Sequence, residues 1–140
     1  MGVEQVRQFL TERGSDVQVM VLECSTATVA DAAAAFGVTP GRIAKTLALR
    51  LADGRVVIVV AAGDARLDNK KCRHFFTGKV QMLGLDEVEA VTGHPVGGVC
   101  PFGLKEDFPI YLDQTLQGYD TVYPAAGATN AAVCMAPQVL

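Results

Sequence analysis

The sequence predicts one α+β domain over residues 1–140, with a curved, mixed, barrel-like β-sheet surrounded by short helices. Three observations support this prediction. The 140 residues are 50% hydrophobic, which suffices for a core without disulfides or metals. Segments with a helical spacing of apolar residues are mixed with short apolar segments typical of strands. No repeat, linker or low-complexity run divides the chain.

The N-terminal segment contains a helix signal followed by a strand signal. Apolar residues recur at helical spacing from Val3 to Leu10, and Gly14 follows them. Valines then alternate with other residues over residues 16–21. We therefore expect a first helix that stops at Gly14, and a strand after it.

The next segment carries two helix-start signals. Thr28 with Asp31 three residues later resembles a capping box, and it opens an alanine-rich helix that Gly37 ends. Thr39-Pro40 reads as an N-cap followed by proline at the first helical position, which predicts one short turn to Ala44.

The clearest supersecondary signal is a β-hairpin. It runs from Lys45 to Leu51, turns at Asp53-Gly54 and returns from Arg55 to Ala61. The returning segment, VVIVVAA, is apolar on both faces, so we expect it at the centre of the sheet.

The second half contains shorter elements. Asp68 is placed to cap a helix that ends near Phe75, and Gly93 to close another that begins near Asp86. The glycines and prolines of GHPVGGVCPFG exclude regular structure there. Further strands are predicted at residues 79–82, 110–112, 121–126 and 131–135.

Charge and cysteine content narrow the class of protein. The formal net charge is −3, no apolar stretch approaches the ~20 residues that span a bilayer, and the N-terminus does not resemble a signal peptide. We therefore expect a soluble cytoplasmic protein without membrane contact. The four cysteines form no CxxC pair, so we expect buried free thiols, no metal site and no cofactor.

Lys45 is the most informative candidate residue. In the strand KTLALRL it shares a face with Leu47, Leu49 and Leu51, where an ammonium is costly without a partner or a cavity. One interpretation is that Lys45 lies at the end of its strand and reaches solvent. The other is an ammonium at the mouth of a pocket, placed to meet an anionic or carbonyl group.

The loop from Thr92 to Gly103 is the second candidate feature. Its paired glycines allow close approach of a ligand, and its prolines stiffen the backbone. Such a loop can offer N–H groups to a carbonyl oxygen, although it can also be an ordinary long turn. Cys100 within it is a nucleophile or, more simply, a packing residue. His94 is expected to shape the loop.

A basic patch follows the predicted hairpin. Arg66, Lys70, Lys71 and Arg73 stand near a single acid, Asp68. The cations either contact RNA or form a solvated helix face.

These features together resemble the YbaK / prolyl-tRNA-synthetase-associated (EbsC-like) family of aminoacyl-tRNA editing domains. The resemblance covers residues 26–140 and rests on the order of four segments: TATVADAAAAFGV, GRIAKTLAL, VVIVVAAGDARLD and TGHPVGGVCPFGL. The lysine strand and the GxxxP loop at this separation are specific in combination.

The resemblance implies an ester hydrolase that deacylates mischarged tRNA, typically tRNA for proline carrying a small amino acid. The family's lysine matches Lys45, the catalytic candidate. The resemblance makes the acceptor end of tRNA the expected partner, with an aminoacyl-tRNA synthetase as a further one, and Arg66, Lys70, Lys71 and Arg73 as tRNA contacts. The substrate-binding candidates are Thr46, Gly97, Gly98, Val99, Cys100, Pro101, Asp113 and Asn130.

Two other functions stay open at the level of sequence. Besides the hydrolase, the alternatives are a non-catalytic tRNA- or synthetase-associated module and a regulatory protein that binds a free amino acid in the same pocket. Asp113 likewise has two interpretations, since it either anchors the loop or is a turn residue after a strand.

Overall fold

The computed structural model of the protein describes residues 2–139. Its α-helices are α1 (Gly2–Glu12), α2 (Val29–Phe36), α3 (Asn69–Phe75) and α4 (Val88–Thr92). Its strands are β1 (Met20–Val21), β2 (Ile43–Leu51), β3 (Val56–Ala62), β4 (Val80–Met82), β5 (Ile110–Leu112), β6 (Tyr123–Pro124) and β7 (Ala131–Ala132). Three short 3-10 helices complete the secondary structure: Pro40–Arg42, Gln114–Gly118 and Pro137–Val139.

The predicted helix signals are confirmed at their capping residues. Thr28 Oγ1 accepts the N–H of Asp31 at 3.0 Å, and Gly37 ends α2 in the left-handed conformation at φ 65°. Asp68 Oδ1 accepts the N–H of Lys71 at the start of α3. Thr39 differs, because its side chain makes no capping hydrogen bond and the turn after it is the 3-10 helix Pro40–Arg42.

The predicted hairpin is the centre of a mixed five-stranded sheet. Strands β2 and β3 pair antiparallel, with Lys45 opposite Ala61 and Leu47 opposite Val59. The strand order is β4-β2-β3-β5, and β6 also pairs with β2. The pairings of β6 with β2 and of β5 with β3 are parallel, while β4 is antiparallel to β2.

The sheet is open, which corrects the barrel-like part of the fold prediction. Within residues 2–139, β4 and β6 lie along one edge of β2, while β5 lies at the opposite edge of the sheet. The pairings of the described strands therefore do not close it into a barrel.

Both faces of β3 are buried, as the apolar segment predicted. Ile58 and Val60 belong to a cluster with Leu116 and Val122, while Val57 and Val59 pack on the other face. Because a period of two sends these residues to opposite faces, β3 joins two apolar layers. A third cluster places α1 against the loop after α4 and the C-terminal segment.

Three predicted strands are shorter than the sequence indicated. The segment 16–21 contributes only Met20–Val21, 121–126 only Tyr123–Pro124, and 131–135 only Ala131–Ala132. Strands β1 and β7 form a separate two-stranded sheet, in which two residues of each strand are paired. No helix among the described residues is long and apolar enough to cross a membrane.

Candidate functional site

A gap in the pairing of β2 lies beside the predicted lysine. Strand β6 pairs with Ile43–Ala44 and β4 with Leu49–Leu51, so residues 45–48 lie between these two neighbours. A cavity of about 210 Å³, the first cavity, lies here. It is mostly apolar and is lined by Lys45, Thr46, Leu47, Thr26, Val29, Met82, Leu83, Leu85, Val96, Gly97, Val99 and Tyr123 among others.

The ammonium of Lys45 is held by the chain that follows β3. The side chain is half-buried, and Nζ donates to the carbonyl oxygens of Gly63, at 3.4 Å, and of Ala65. No carboxylate of residues 2–139 forms a salt bridge with it. An ammonium has three N–H donors, so one remains for a ligand. Lys45 therefore presents a fixed positive charge at the wall of the first cavity.

Thr46 adds a buried polar group. Its Oγ1 has no hydrogen-bond partner among residues 2–139. A buried hydroxyl left unpaired costs free energy, of the order of 1–3 kcal/mol. Thr46 also lines the first cavity, although its Oγ1 is enclosed by protein atoms.

The loop predicted from its glycines and prolines forms the opposite wall. Gly97 has φ 89°, and a Cβ there would lie 2.8 Å from Cβ of Ala27. Gly97 and Val99 line the first cavity, whereas Gly98 accepts the N–H of Gly127 behind it. The hydrogen bonds within residues 2–139 leave the N–H groups of Gly97 and Val99 without an acceptor.

Cys100 and His94 lie behind this loop in the core. Cys100 is fully buried, and burial raises the pKa of its thiol to about 12. His94 is also fully buried, with Nε2 2.7 Å from the carbonyl oxygen of Phe102. Since a carbonyl only accepts, Nε2 carries a proton, and burial lowers the pKa of the ring, which favours its neutral form. Both residues shape the loop, as does buried Pro101, and none of the three lines the first cavity.

The cysteines differ in burial, which corrects part of the prediction. Only Cys100 is buried, whereas Cys72 is half-buried and Cys24 and Cys134 are exposed. The four cysteines therefore do not all pack in the core as small hydrophobic side chains.

Asp113 and Asn130 have local structural partners. Asp113 Oδ2 accepts the N–H of Thr115 at 3.1 Å, which supports the turn interpretation. Asn130 Nδ2 donates to the carbonyl oxygen of Leu22 at 2.9 Å and lies outside both cavities described here. Asp113, unlike Asn130, reaches the second cavity.

A second cavity of about 610 Å³ lies between α3 and the sheet. Lys45 lines it as well as the first cavity, so this residue lies between the two. Of the predicted tRNA contacts, Arg66 and Lys71 line the second cavity, while Lys70 and Arg73 are exposed outside it.

Several residues that line the two cavities were not predicted from the sequence. Thr26 and Tyr123 line the first, and they come from chain segments remote from the lysine strand. Phe75, Phe76 and Tyr111 line the second. The Phe-Phe pair directly after a basic run was a usable signal for the second cavity. No local pattern marked Thr26 or Tyr123.

Comparison with known proteins identifies the family. Residues 23–140 match the aminoacyl-tRNA editing domain family. The chain is 45% identical to the uncharacterized protein YwhH of Bacillus subtilis, over all of this chain and 89% of that protein. It is 36% identical, over 77% of this chain, to EbsC of Enterococcus faecalis, a candidate Cys-tRNA(Pro)/Cys-tRNA(Cys) deacylase of which 66% is covered.

A solved structure agrees in fold. The crystal structure of a candidate trans-editing enzyme for prolyl tRNA synthetase superimposes with a TM-score of 0.90 at 32% identity, covering 99% of this chain and 88% of that one. Matching proline–tRNA ligases are longer, and the chain spans only 14% to 23% of their length. By sequence and by fold, the chain belongs to the aminoacyl-tRNA editing domain family.

Proposed function

We propose that the protein hydrolyses the ester bond of mischarged aminoacyl-tRNA, with the amino acid held in the first cavity. The observation that carries this proposal is the position of Lys45, a cation with no carboxylate partner among residues 2–139 at the junction of two cavities. An aminoacyl ester consists of two unlike parts joined at one carbonyl. Two cavities that meet at a cation suit such a substrate.

The reaction needs few protein groups because the ester is already activated. Water adds to the carbonyl carbon, and the carbonyl oxygen takes up negative charge. The Lys45 ammonium and the free N–H groups of Gly97 and Val99 stabilise that charge. The bond to the ribose oxygen then breaks, and this oxygen takes a proton that the water has given up. The products are a free amino acid and intact tRNA.

The proton acceptor is water or the vicinal ribose hydroxyl in this proposal. Cys100 is unsuited to attack, because its thiol is buried and its raised pKa keeps it protonated. His94 is unsuited as a base, because its ring is fully buried in the core and does not line the first cavity.

The size of the first cavity bears on the amino acid that is removed. At about 210 Å³, with mostly apolar walls, it has room for alanine, cysteine or serine, the small residues that the family resemblance implies. Proline-type tRNA is the expected carrier from the family's relation to prolyl-tRNA synthetase.

The test is a deacylation assay on a panel of tRNAs for proline charged with alanine, cysteine, serine or proline. We expect hydrolysis well above the uncatalysed rate for at least one small non-cognate residue, and little for proline. Hydrolysis of none of them, with tRNA still bound, would favour a non-catalytic module. Calorimetric binding of a free amino acid without any effect on charged tRNA would favour a regulatory protein.

A further inference from the structure

The second cavity contains an aromatic cluster formed by Phe75, Phe76 and Tyr111. The ring centroids lie 4.9 Å apart for Phe75 and Phe76, 5.5 Å for Phe75 and Tyr111, and 5.2 Å for Phe76 and Tyr111, all in edge-to-face contact. Phe75 is 65% exposed and Tyr111 36% exposed. Exposing a large apolar ring to water costs free energy, so the cluster offers a surface on which a planar ligand can pack.

Cations accompany these aromatic rings. Arg66 and Lys71 line the same cavity, and neither forms a salt bridge within residues 2–139. The two acids of this cavity are engaged locally, since Asp68 accepts from the N–H of Lys71 and Asp113 accepts from Thr115. Aromatic faces beside unpaired cations are the combination with which proteins bind single-stranded nucleic acid.

The cluster lies within reach of the candidate ester site. Tyr111 is opposite Val59, and Val59 is opposite Leu47, two residues along β2 from Lys45. Two residues along the strand and two strands across the sheet put the Cα atoms of Lys45 and Tyr111 about 12 Å apart. A short stretch of nucleotide chain bridges such a distance.

We infer that the second cavity binds the unpaired 3′-terminal nucleotides of the RNA, with a base stacked on Phe75 or Tyr111 and phosphates contacted by Arg66 and Lys71. This inference rests on the proposed function, because it assigns the nucleotide portion of the same substrate to the cavity on the other side of Lys45. It adds three aromatic binding residues to the basic residues named from the sequence.

The test measures the affinity of a fluorescently labelled, uncharged single-stranded RNA that ends in CCA. Phe75→Leu retains an apolar side chain but removes the ring, and we expect it to weaken binding about 5-fold to 150-fold, since stacking contributes ~1–3 kcal/mol per base. Phe75→Trp keeps an aromatic ring at this position, so it should bind the RNA with about the wild-type affinity. Val21→Ala, which trims a side chain that is 52% exposed and lies outside both cavities, should bind like the wild type.

Kinetics on charged tRNA provide a second readout. Phe75→Leu and Tyr111→Leu should raise KM and leave the single-turnover rate at saturation nearly unchanged, because the rings do not contact the reacting carbonyl. Wild-type affinity for the RNA in both leucine variants would overturn the inference and leave the cluster as a protein-binding surface.

The RNA-binding and hydrolysis experiments can contradict the two proposals separately. If the RNA affinity depends on Phe75 while no charged tRNA is hydrolysed, the nucleotide site stands and the proposed hydrolysis is wrong. If charged tRNA is hydrolysed and the leucine variants bind RNA normally, the hydrolysis stands and the nucleotide site is wrong.

Discussion

Lys45 shows how one side chain acquires a defined position from its neighbours. As a free ammonium on a strand it would have many rotamers, but the carbonyl oxygens of Gly63 and Ala65 hold it at the end of β3. Holding the charge in place before substrate binds avoids reorganisation during the reaction, which is the main source of electrostatic stabilisation in enzymes. Thr46, the next residue, contributes a buried hydroxyl that has no hydrogen-bond partner in the described part of the chain.

Cys100 gives a prediction at the same scale. With a pKa of about 12, only about one thiol in ten thousand is ionised at pH 8, and the group is fully buried. Iodoacetamide at pH 8 should therefore label Cys24 and Cys134, which are exposed, and spare Cys100 in the native protein.

Replacement of this cysteine should leave the chemistry intact. Cys100→Ala should keep the deacylation rate within a few-fold of the wild type, and should lower the free energy of unfolding by about 1 kcal/mol through lost packing. Rapid labelling of native Cys100, or loss of hydrolysis by a folded Cys100→Ala variant, would make it a reactive residue.

At the scale of elements, the interrupted pairing of β2 creates the first cavity. Strands β6 and β4 cover the two ends of one edge, and the loop of Gly97 and Val99 lies across the gap between them. That loop is fixed from behind by the hydrogen bond from Gly127 N–H to the carbonyl oxygen of Gly98 and by buried His94. The wall of the cavity is therefore rigid although it has no regular secondary structure.

Gly97 allows this wall to be tested against a matched position. Gly97 and Gly54 have nearly the same positive φ, 89° and 90°, but only Gly97 would place a Cβ against another atom, Cβ of Ala27. Gly54→Ala should cost about 1 kcal/mol of unfolding free energy and leave activity unchanged.

Gly97→Ala should cost more stability and also reduce the deacylation rate, because the loop must shift to relieve the contact. Urea denaturation and single-turnover hydrolysis of the two variants measure both effects. Equal stability losses and equal rates in the two variants would mean that the loop does not depend on this close approach.

The elements also show which features a sequence can predict. The cap of Thr28 and the hairpin turn at Asp53-Gly54 depend on residues a few positions apart, so their patterns were sufficient. The contacts of Lys45 with Ala65, and of Phe75 with Tyr111, join residues far apart in the sequence. Such contacts depend on how the sheet is paired, and no local pattern encodes that pairing.

At the scale of the whole molecule, the sheet separates two environments that a single cation connects. The first cavity is small and apolar, and the second is larger, aromatic and basic. This division suits the substrate proposed for this member of the aminoacyl-tRNA editing domain family, because an aminoacyl-tRNA carries an amino acid next to its terminal nucleotide. The net charge of −3 does not oppose such binding, because four of the twelve lysines and arginines, Arg66, Lys70, Lys71 and Arg73, lie in or next to α3.

The most direct test of this account is single-turnover deacylation by Lys45→Ala of the mischarged tRNA that the wild type hydrolyses best. Lys105→Ala, which removes an exposed lysine outside both cavities, is the matched control, and circular dichroism establishes that both variants fold. Loss of one group that stabilises the oxyanion typically costs about 100-fold to 1000-fold in rate, so we predict a drop of that size for Lys45→Ala and none for Lys105→Ala. A folded Lys45→Ala variant that hydrolyses the ester at the wild-type rate would contradict the account.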